Sequence, residues 1–528
     1  MEEDPCGFSL YVIGEKVDTF NRDTNSVSSP TALGTPDQIA HDPFGTIGHQ
    51  IPQFFDRTTD RYIGQLDWQF SEQLGLVAVY TSEESGYFRL FGDPSDLSRF
   101  PNAGNAEFDA NSETTSAEIR LEYTSEKLTG RVGIYQFDEE SLNVVTGFVQ
   151  PSAFVPVDPP DAIAAIIAEF VLISENSAYF GEMRYEPNER WAFEAGVRFD
   201  EETNLNPGIQ GTAVVDPPTC TIAAFVPGLG GLPCLALLPQ QAVDDQLAEF
   251  DAWLPRVAAT YRFDDDRSLS LAIQRGYRAG GSYLFQDPNE APGTPPRLES
   301  FGPEYVTNYE LSFRSLWFEE RLLFNANVYR TDWTDQQVLL QGPTGLNDNR
   351  TVNVGESELQ GFEIESQWFV NDNLEIFTSL GYSKTEFLRF PFSVDDDGNP
   401  IIPMWADLSG NEFSQSPNIT GSVGAYYRTD NGWFGDVTLS YTDGGYSDVF
   451  NLESDKFQSQ TLTNLRVGYD ADRYRVVLYA NNLFDRRALT QVNYQNVLPD
   501  EGLVTFDGPV FLGVNKPRIA GLQLEFRL

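Results

Sequence analysis

Tyr277, Arg278 and Tyr283 fall together where an alternating segment gives way to a Gly- and Pro-rich one. Phenol rings beside a guanidinium are binding chemistry rather than reactive chemistry. They suit contact with an anionic chelate or a sugar ring, and they suit packing within loops equally well, which is the plainer reading. Trp333, Trp405 and Phe413 stand in or beside other irregular stretches and carry the same two readings. Catalytic constellations are missing. The two histidines, His41 and His49, lie in a Pro/Gly-rich stretch without a nucleophile motif, so neither an enzyme nor a His-rich metal site is expected. Val394 to Pro400, VDDDGNP, has the acid spacing of a weak Ca²⁺ loop but lacks the twelve-residue pattern and its closing Glu, so it reads as a solvated loop tip. Cys220 and Cys234 share one long irregular segment and are disulfide candidates in an oxidising compartment, leaving Cys6 over.

The elements that must carry these side chains are visible as alternation. Trp191, Phe193, Ala195, Val197 and Phe199 share one face, against Glu194, Gly196 and Arg198. Leu269, Leu271 and Ile273 oppose Ser268, Ser270 and Gln274. The same holds for Leu322, Phe324, Ala326 and Val328 against Asn325 and Asn327, and for Tyr474, Val476, Leu478 and Ala480 against Arg475 and Asn481. Period two marks strands with two unlike faces. Short polar turns join such segments in pairs, near 71–74, 125–128, 186–190, 264–267, 319–321, 370–373, 429–432 and 470–473. Between the pairs run long connections, roughly 82–114, 139–174, 201–250, 277–305, 333–356, 387–415, 443–458 and 483–518. Short turns alternating strictly with long loops describe a bacterial outer-membrane barrel, with periplasmic turns and extracellular loops. Eight hairpins supply about sixteen strands, many of about ten residues; 519–528 adds one and 8–20 another, about eighteen in all.

Composition agrees. The 528 residues are 13% aromatic and 21% charged, with a mean hydropathy of -0.33. A helical membrane protein is excluded, because no run of eighteen apolar residues exists; the nearest, 162–173 (AIAAIIAEFVLI), carries Glu169 and reads as a helix or strand inside a loop. A barrel averages its two faces and escapes that test. The net charge of -45 excludes nucleic acid as a partner. The acids cluster between apolar segments, and solvation in salty water accounts for them more simply than a specific cationic ligand. Trp68, Trp191, Trp317, Trp368 and Trp433 flank short turns, as an interfacial girdle would. The fold expected is all-β, a transmembrane antiparallel up-and-down β-barrel at 62–528, with 1–61 an N-terminal strand and long loop. The opening MEEDPCGF has no basic stretch followed by an apolar core, so no signal peptide is read there.

Several segments resemble TonB-dependent receptors. They are YELSFRSLWFEERLLFNANVYRTDWTDQQV from Tyr309, ESELQGFEIES from Glu356, DLSGNEFSQSPNIT from Asp407, LYANNLFDRR from Leu478 and VNKPRIAGLQLEFRL from Val514, with IQRGYRAGG from Ile273. Each is weak alone; their order over 253–528 is specific, whereas 62–200 fits loosely and 1–61 hardly. The resemblance implies a barrel of 22 strands plugged by an N-terminal domain. About 18 strands and no plug are found, so a truncated chain is expected. It also implies a receptor in the outer membrane of a Gram-negative bacterium, among outer-membrane lipid, energised by the TonB complex through the plug. The implied substrate is a scarce small molecule: a ferric siderophore or similar iron complex first, an oligosaccharide or cobalamin next, with haem disfavoured by the two histidines. No cofactor is implied. The last strand, with Gly521, Leu522, Leu524, Phe526 and Leu528, is implied to be read by the barrel assembly machinery, although Leu528 stands where an aromatic residue is usual. A passive porin of 16–18 strands is the alternative.

Overall fold

The computed structural model describes residues 8–21, 27–28, 54–92, 105–149, 157–158, 163–216, 218–219, 221–222, 241–285, 297–340, 350–390, 407–494 and 509–527. Among these the only helical piece is a 3₁₀ turn at Glu453–Asp455. Eighteen strands build the wall. In chain order they are β1 (Phe8–Asn21), β2 (Phe54–Gln69), β3 (Leu74–Gly92), β4 (Asn105–Thr124), β5 (Leu128–Val149), β6 (Ile163–Asn188), β7 (Trp191–Asn206), β8 (Gln246–Arg262) and β9 (Arg267–Arg278). The series continues with β10 (Glu304–Trp317), β11 (Leu322–Leu340), β12 (Arg350–Phe369), β13 (Leu374–Arg389), β14 (Ile419–Arg428), β15 (Trp433–Thr442), β16 (Gln460–Asp470), β17 (Tyr474–Asn481) and β18 (Ile519–Phe526). Every strand pairs antiparallel with its neighbour in sequence, from β1–β2 to β17–β18. This is the up-and-down barrel sheet expected, with the expected number of strands.

All eight short turns stand where the polar tetrads predict them, and side chains close several. Ser71 Oγ accepts the N–H of Gln73 and of Leu74. Asn188 Oδ1 accepts those of Arg190 and Trp191, and Asn371 Oδ1 those of Asn373 and Leu374. Short polar side chains thus replace ladder partners that a tight reversal cannot supply.

The strands are longer than the alternation suggests. β4, β5 and β6 have 20, 22 and 26 residues, so much of the expected loops at 82–114, 139–174 and 333–356 is sheet. The apolar stretch near 162–173 resolves as the start of β6, paired with β5, and Ile209–Asp216 continues beyond β7 along the same stretch. The physical reason is that apolar–polar alternation appears only where the two faces of a strand meet unlike surroundings. Where both faces meet like surroundings the pattern fades while the ladder continues.

Burial separates the faces. Val132 and Ile134 on β5, Tyr179 and Met183 on β6, and Val197 on β7 are exposed on the outer face. The five girdle tryptophans are exposed beside the short turns, and Trp191 and Trp433 pack on Tyr261 and Tyr469. The inner face carries ion pairs instead. Arg120 bridges Glu118 and Glu122, Arg131 meets Glu182, Arg184 meets Glu186 and Glu194, and Arg198 meets the buried Asp200. A cavity of about 660 Å³ opens along this charged wall. Among the described residues, β1 and β18 each have a ladder on one side only.

Candidate functional site

Away from the short turns, the far ends of β7 to β13 gather into a mouth region, or vestibule. It starts with a split. The β8–β9 ladder stops at Arg256–Gln274, whereas the β9–β10 ladder runs on to Arg278–Glu304. Freed from β8, the chain after β9 makes a small hairpin, Gly281–Phe285 paired with Arg297–Phe301. Gly280 lets it pass close to the wall, since a Cβ there would lie 2.2 Å from Phe301 O and 2.7 Å from the Phe250 ring.

Amide side chains fasten this hairpin on two sides. On one, Asn204 Nδ2 donates to Gly280 O at 3.2 Å and Gln246 Nε2 to Ser300 Oγ at 2.8 Å. On the other, Gln337 Nε2 donates to Ala279 O at 2.7 Å and Gly302 O at 3.0 Å. Asn353 exchanges hydrogen bonds with Gly302, its Oδ1 accepting at 2.7 Å and its Nδ2 donating at 2.9 Å. Each of these bonds contributes about 1 kcal/mol net, so together they hold the hairpin as part of the wall.

The residues singled out in the sequence fall into two groups. Tyr277 donates its hydroxyl to Glu202 Oε2 at 2.8 Å and stacks on Tyr305, whose face also holds the Arg275 guanidinium at 4.5 Å. Arg278 pairs with Glu304 at 3.3 Å, and Tyr283 donates to Glu299 at 2.8 Å within the hairpin. The second group is Trp333 and Phe413, in edge contact at 5.8 Å. Phe413 also packs on Phe387, against a core of Val338, Leu340, Val354, Phe390, Leu408 and Val449. Trp405, Cys220, Cys234 and the loop 394–400 lie outside the described residues. Glu202, Tyr305, Gln337 and Asn353 escaped the sequence reading. Only their positions at strand ends hinted at them, because amides and acids are common in loops.

Two motifs acquire mechanisms. In the Asn482-Leu483-Phe484-Asp485 turn, Asn482 is 4% exposed with a left-handed φ of 51°. Its Nδ2 donates to Arg486 O and Lys516 O, and its Oδ1 accepts the Arg486 N–H. Asp485 Oδ1 accepts the Arg518 N–H at 2.8 Å, which holds its carboxyl below the usual carboxylate range. One tetrapeptide therefore ties the end of β17 to the start of β18. On β18, Leu522, Leu524 and Phe526 are exposed on the outer face, Gly521 receives the Tyr479 ring, and Leu528 lies outside the described residues.

The vestibule offers aromatic faces, carboxylates and amides, which bind solutes without bond chemistry. Among the described residues no group of three or more His, Cys, Asp or Glu is arranged to hold a metal ion. Residues 10–483 match the family described as "TonB dependent receptor-like, beta-barrel". Over 210 residues, 38% of this chain, it is 27% identical to the ferric-pyoverdine M114 receptor PbuA of Pseudomonas sp. (strain M114), and that alignment spans 22% of the relative. The fold superposes on the ferric yersiniabactin uptake receptor FyuA from Yersinia pestis with a TM-score of 0.70 at 16% identity, covering 98% of this chain and 67% of that one. For the siderophore receptor PiuA from Acinetobacter baumannii the values are 0.66, 13%, 98% and 71%. At these identities the likeness to solved structures is one of fold. The family and these relatives are transport receptors, not enzymes. The chain belongs to the TonB-dependent receptor family and comprises its β-barrel.

Proposed function

We propose that this chain forms the wall and solute-receiving mouth of an outer-membrane receptor that takes up a scarce metal chelate, a ferric siderophore first. The observation that carries this reading is the vestibule: an aromatic and carboxylate-lined mouth, fixed by amide staples, on a barrel of this family. Relatives named for ferric-pyoverdine and ferric yersiniabactin support iron over other cargo. The exposed outer face supports lipid as its surroundings, and the apolar outer row of β18 supports handling by the barrel assembly machinery. Energy would come from the TonB complex through a plug. The one-sided ladders of β1 and β18 support a wall completed by further strands, since lipid leaves unpaired backbone groups unsatisfied. In this reading the long-loop end is extracellular.

The test is radioactive iron uptake, from a panel of ferric chelates, in cells lacking their own receptors and expressing the whole gene. The expected result is uptake of at least one chelate, abolished by a protonophore and weakened by Trp333→Ala with Phe413→Ala. Uptake that survives the protonophore and rises linearly with concentration would replace this reading by a passive porin.

A further inference from the structure

We infer that the vestibule receives a chelate of net positive charge; this deepens the proposed function and rests on it for the word chelate. An anionic ligand needs guanidinium or ammonium groups free to fork onto it. At the far ends of β9 to β13, three described cations of the mouth are already committed. Arg278 pairs with Glu304 at 3.3 Å, Arg297 with Glu299 at 2.9 Å, and Arg389 with Glu356 at 3.7 Å. On the outer face, which carries Val328 and Leu380, Arg330 is likewise held by both Asp332 and Glu358 at 2.8 Å and Lys384 by Glu386 at 2.7 Å; above β15, Lys456 pairs with Glu453 at 2.7 Å. An anion would have to displace a carboxylate at each.

A second observation concerns the rings. Three aromatic faces in this region already hold cations: Tyr305 takes Arg275 at 4.5 Å, Phe285 takes Arg297 at 5.2 Å and Tyr446 takes Lys456 at 4.8 Å. Rings of this region thus already serve as partners for cations.

A third observation is the approach. On the outer face Glu84, Glu113 and Glu140 are directly paired across β3, β4 and β5, and the row runs on to Asp60 of β2, where Lys16 of β1 ends it at 3.3 Å. Asp138 faces Glu175 on β6, and Glu201 on β7 faces Asp251 on β8. Like charges opposed in a sheet destabilise it. Asp60 lies about 30 Å along β2 from its short turn, so on a strand tilted by about 40° the row stands near the upper limit of the lipid band. With 79 acids against 34 Lys and Arg, the field at the mouth attracts cations and repels anions over about one Debye length, ~8 Å at physiological salt. Solvation explains an acidic surface, but it does not require that Arg278, Arg297 and Arg389 each be neutralised by a carboxylate.

The experiment reads the field without knowing the ligand. Ser300, exposed on the hairpin, is replaced by Cys in a protein whose three native cysteines are serine, with Ser71→Cys in the first short turn as the remote site. Rates are compared for a cationic and an anionic methanethiosulfonate. Relative to a free thiol, the cationic reagent is expected to gain about 10-fold or more at position 300 in low salt, clearly more than at position 71, and the gain should collapse at 0.5 M NaCl. Equal preference at both sites, or an anionic preference at 300, overturns the inference. A second measurement uses unsubstituted protein and a charge series on one iron-binding core: a ferric trihydroxamate with a free amine, its acetylated form and its succinylated form. Affinity should fall in that order at low salt; tighter binding of the succinylated form overturns the inference. Reagent preference at 300 in a protein that takes up no chelate would leave the charge inference standing and sink the proposed function instead.

Discussion

Gly424→Ala tests how the inner wall is packed. Gly424 on β14 pairs directly with Phe377 on β13. A Cβ at 424 would lie 2.2 Å from the ring Cζ and 2.7 Å from both Cε atoms. Ordinary contact begins near 3.4 Å, so the ring must withdraw by more than about an ångström. A Phe side chain buries about 150–250 Å²; re-exposing about half, at about 25 cal/mol per Å², costs about 2.5 kcal/mol. Alanine recovers about 0.5–1 kcal/mol because glycine loses more backbone entropy on folding. The net destabilisation expected is about 1.5–2 kcal/mol, measured by urea unfolding in short-chain lipid vesicles with tryptophan fluorescence. The decisive arm is the double-mutant cycle. In a Phe377→Ala background, Gly424→Ala should be neutral or stabilising. An equal cost in both backgrounds would refute the ring-over-glycine argument, and with it the same reading of Phe434 over Gly468 and Tyr479 over Gly521.

Three further outcomes are expected. Asn482→Ala removes three hydrogen bonds to backbone groups and should cost about 3 kcal/mol; limited proteolysis should then nick the segment between β17 and β18 first, and Asn482→Gly, which keeps the left-handed φ, should recover only part of the loss. Asp264 in the β8–β9 turn is held below its ordinary 3.8 by its hydrogen bond from Arg267. A depressed folded value gives stability that is present above the unfolded pKa and lost as pH falls through the folded one. The melting-temperature gap between wild type and Asp264→Asn should therefore be full at pH 6 and close in acid; a gap that widens in acid contradicts the assignment. In the outer acid row, unit charges about 5 Å apart in water repel by about 0.8 kcal/mol. Glu84→Gln with Glu113→Gln should raise the melting temperature in low salt and leave it unchanged at 1 M NaCl.

How legible the protein was depends on where water and lipid sit. The strand count, all eight short turns and the exposed tryptophans beside them were readable, because two unlike faces force the alternation of Trp191 to Phe199 and tight turns demand residues such as Asn188 and Asn371. Strand lengths were not, because β5 and β6 continue where both faces are wet. Trp333 and Phe413 were flagged in different stretches of the chain, and nothing in their spacing says that they touch. Glu202 and Tyr277 are 75 residues apart, so their hydrogen bond appears only once β9 leaves β8. Asn482 was visible as part of a motif, but its clasp on Lys516 depends on a connection whose path the sequence does not reveal.

The length of the strands has a mechanical meaning. At about 3.3 Å per residue, the 26 residues of β6 make an arm of about 85 Å, far longer than its oblique crossing of lipid needs. Laddered to β5 up to Val149–Ala164, the arm cannot move alone, and any change in the tilt of the wall is magnified at its tip. A few degrees of tilt moves the tip by several ångströms. The rim can then widen or narrow around an arriving molecule while every hydrogen bond of the ladder stays made.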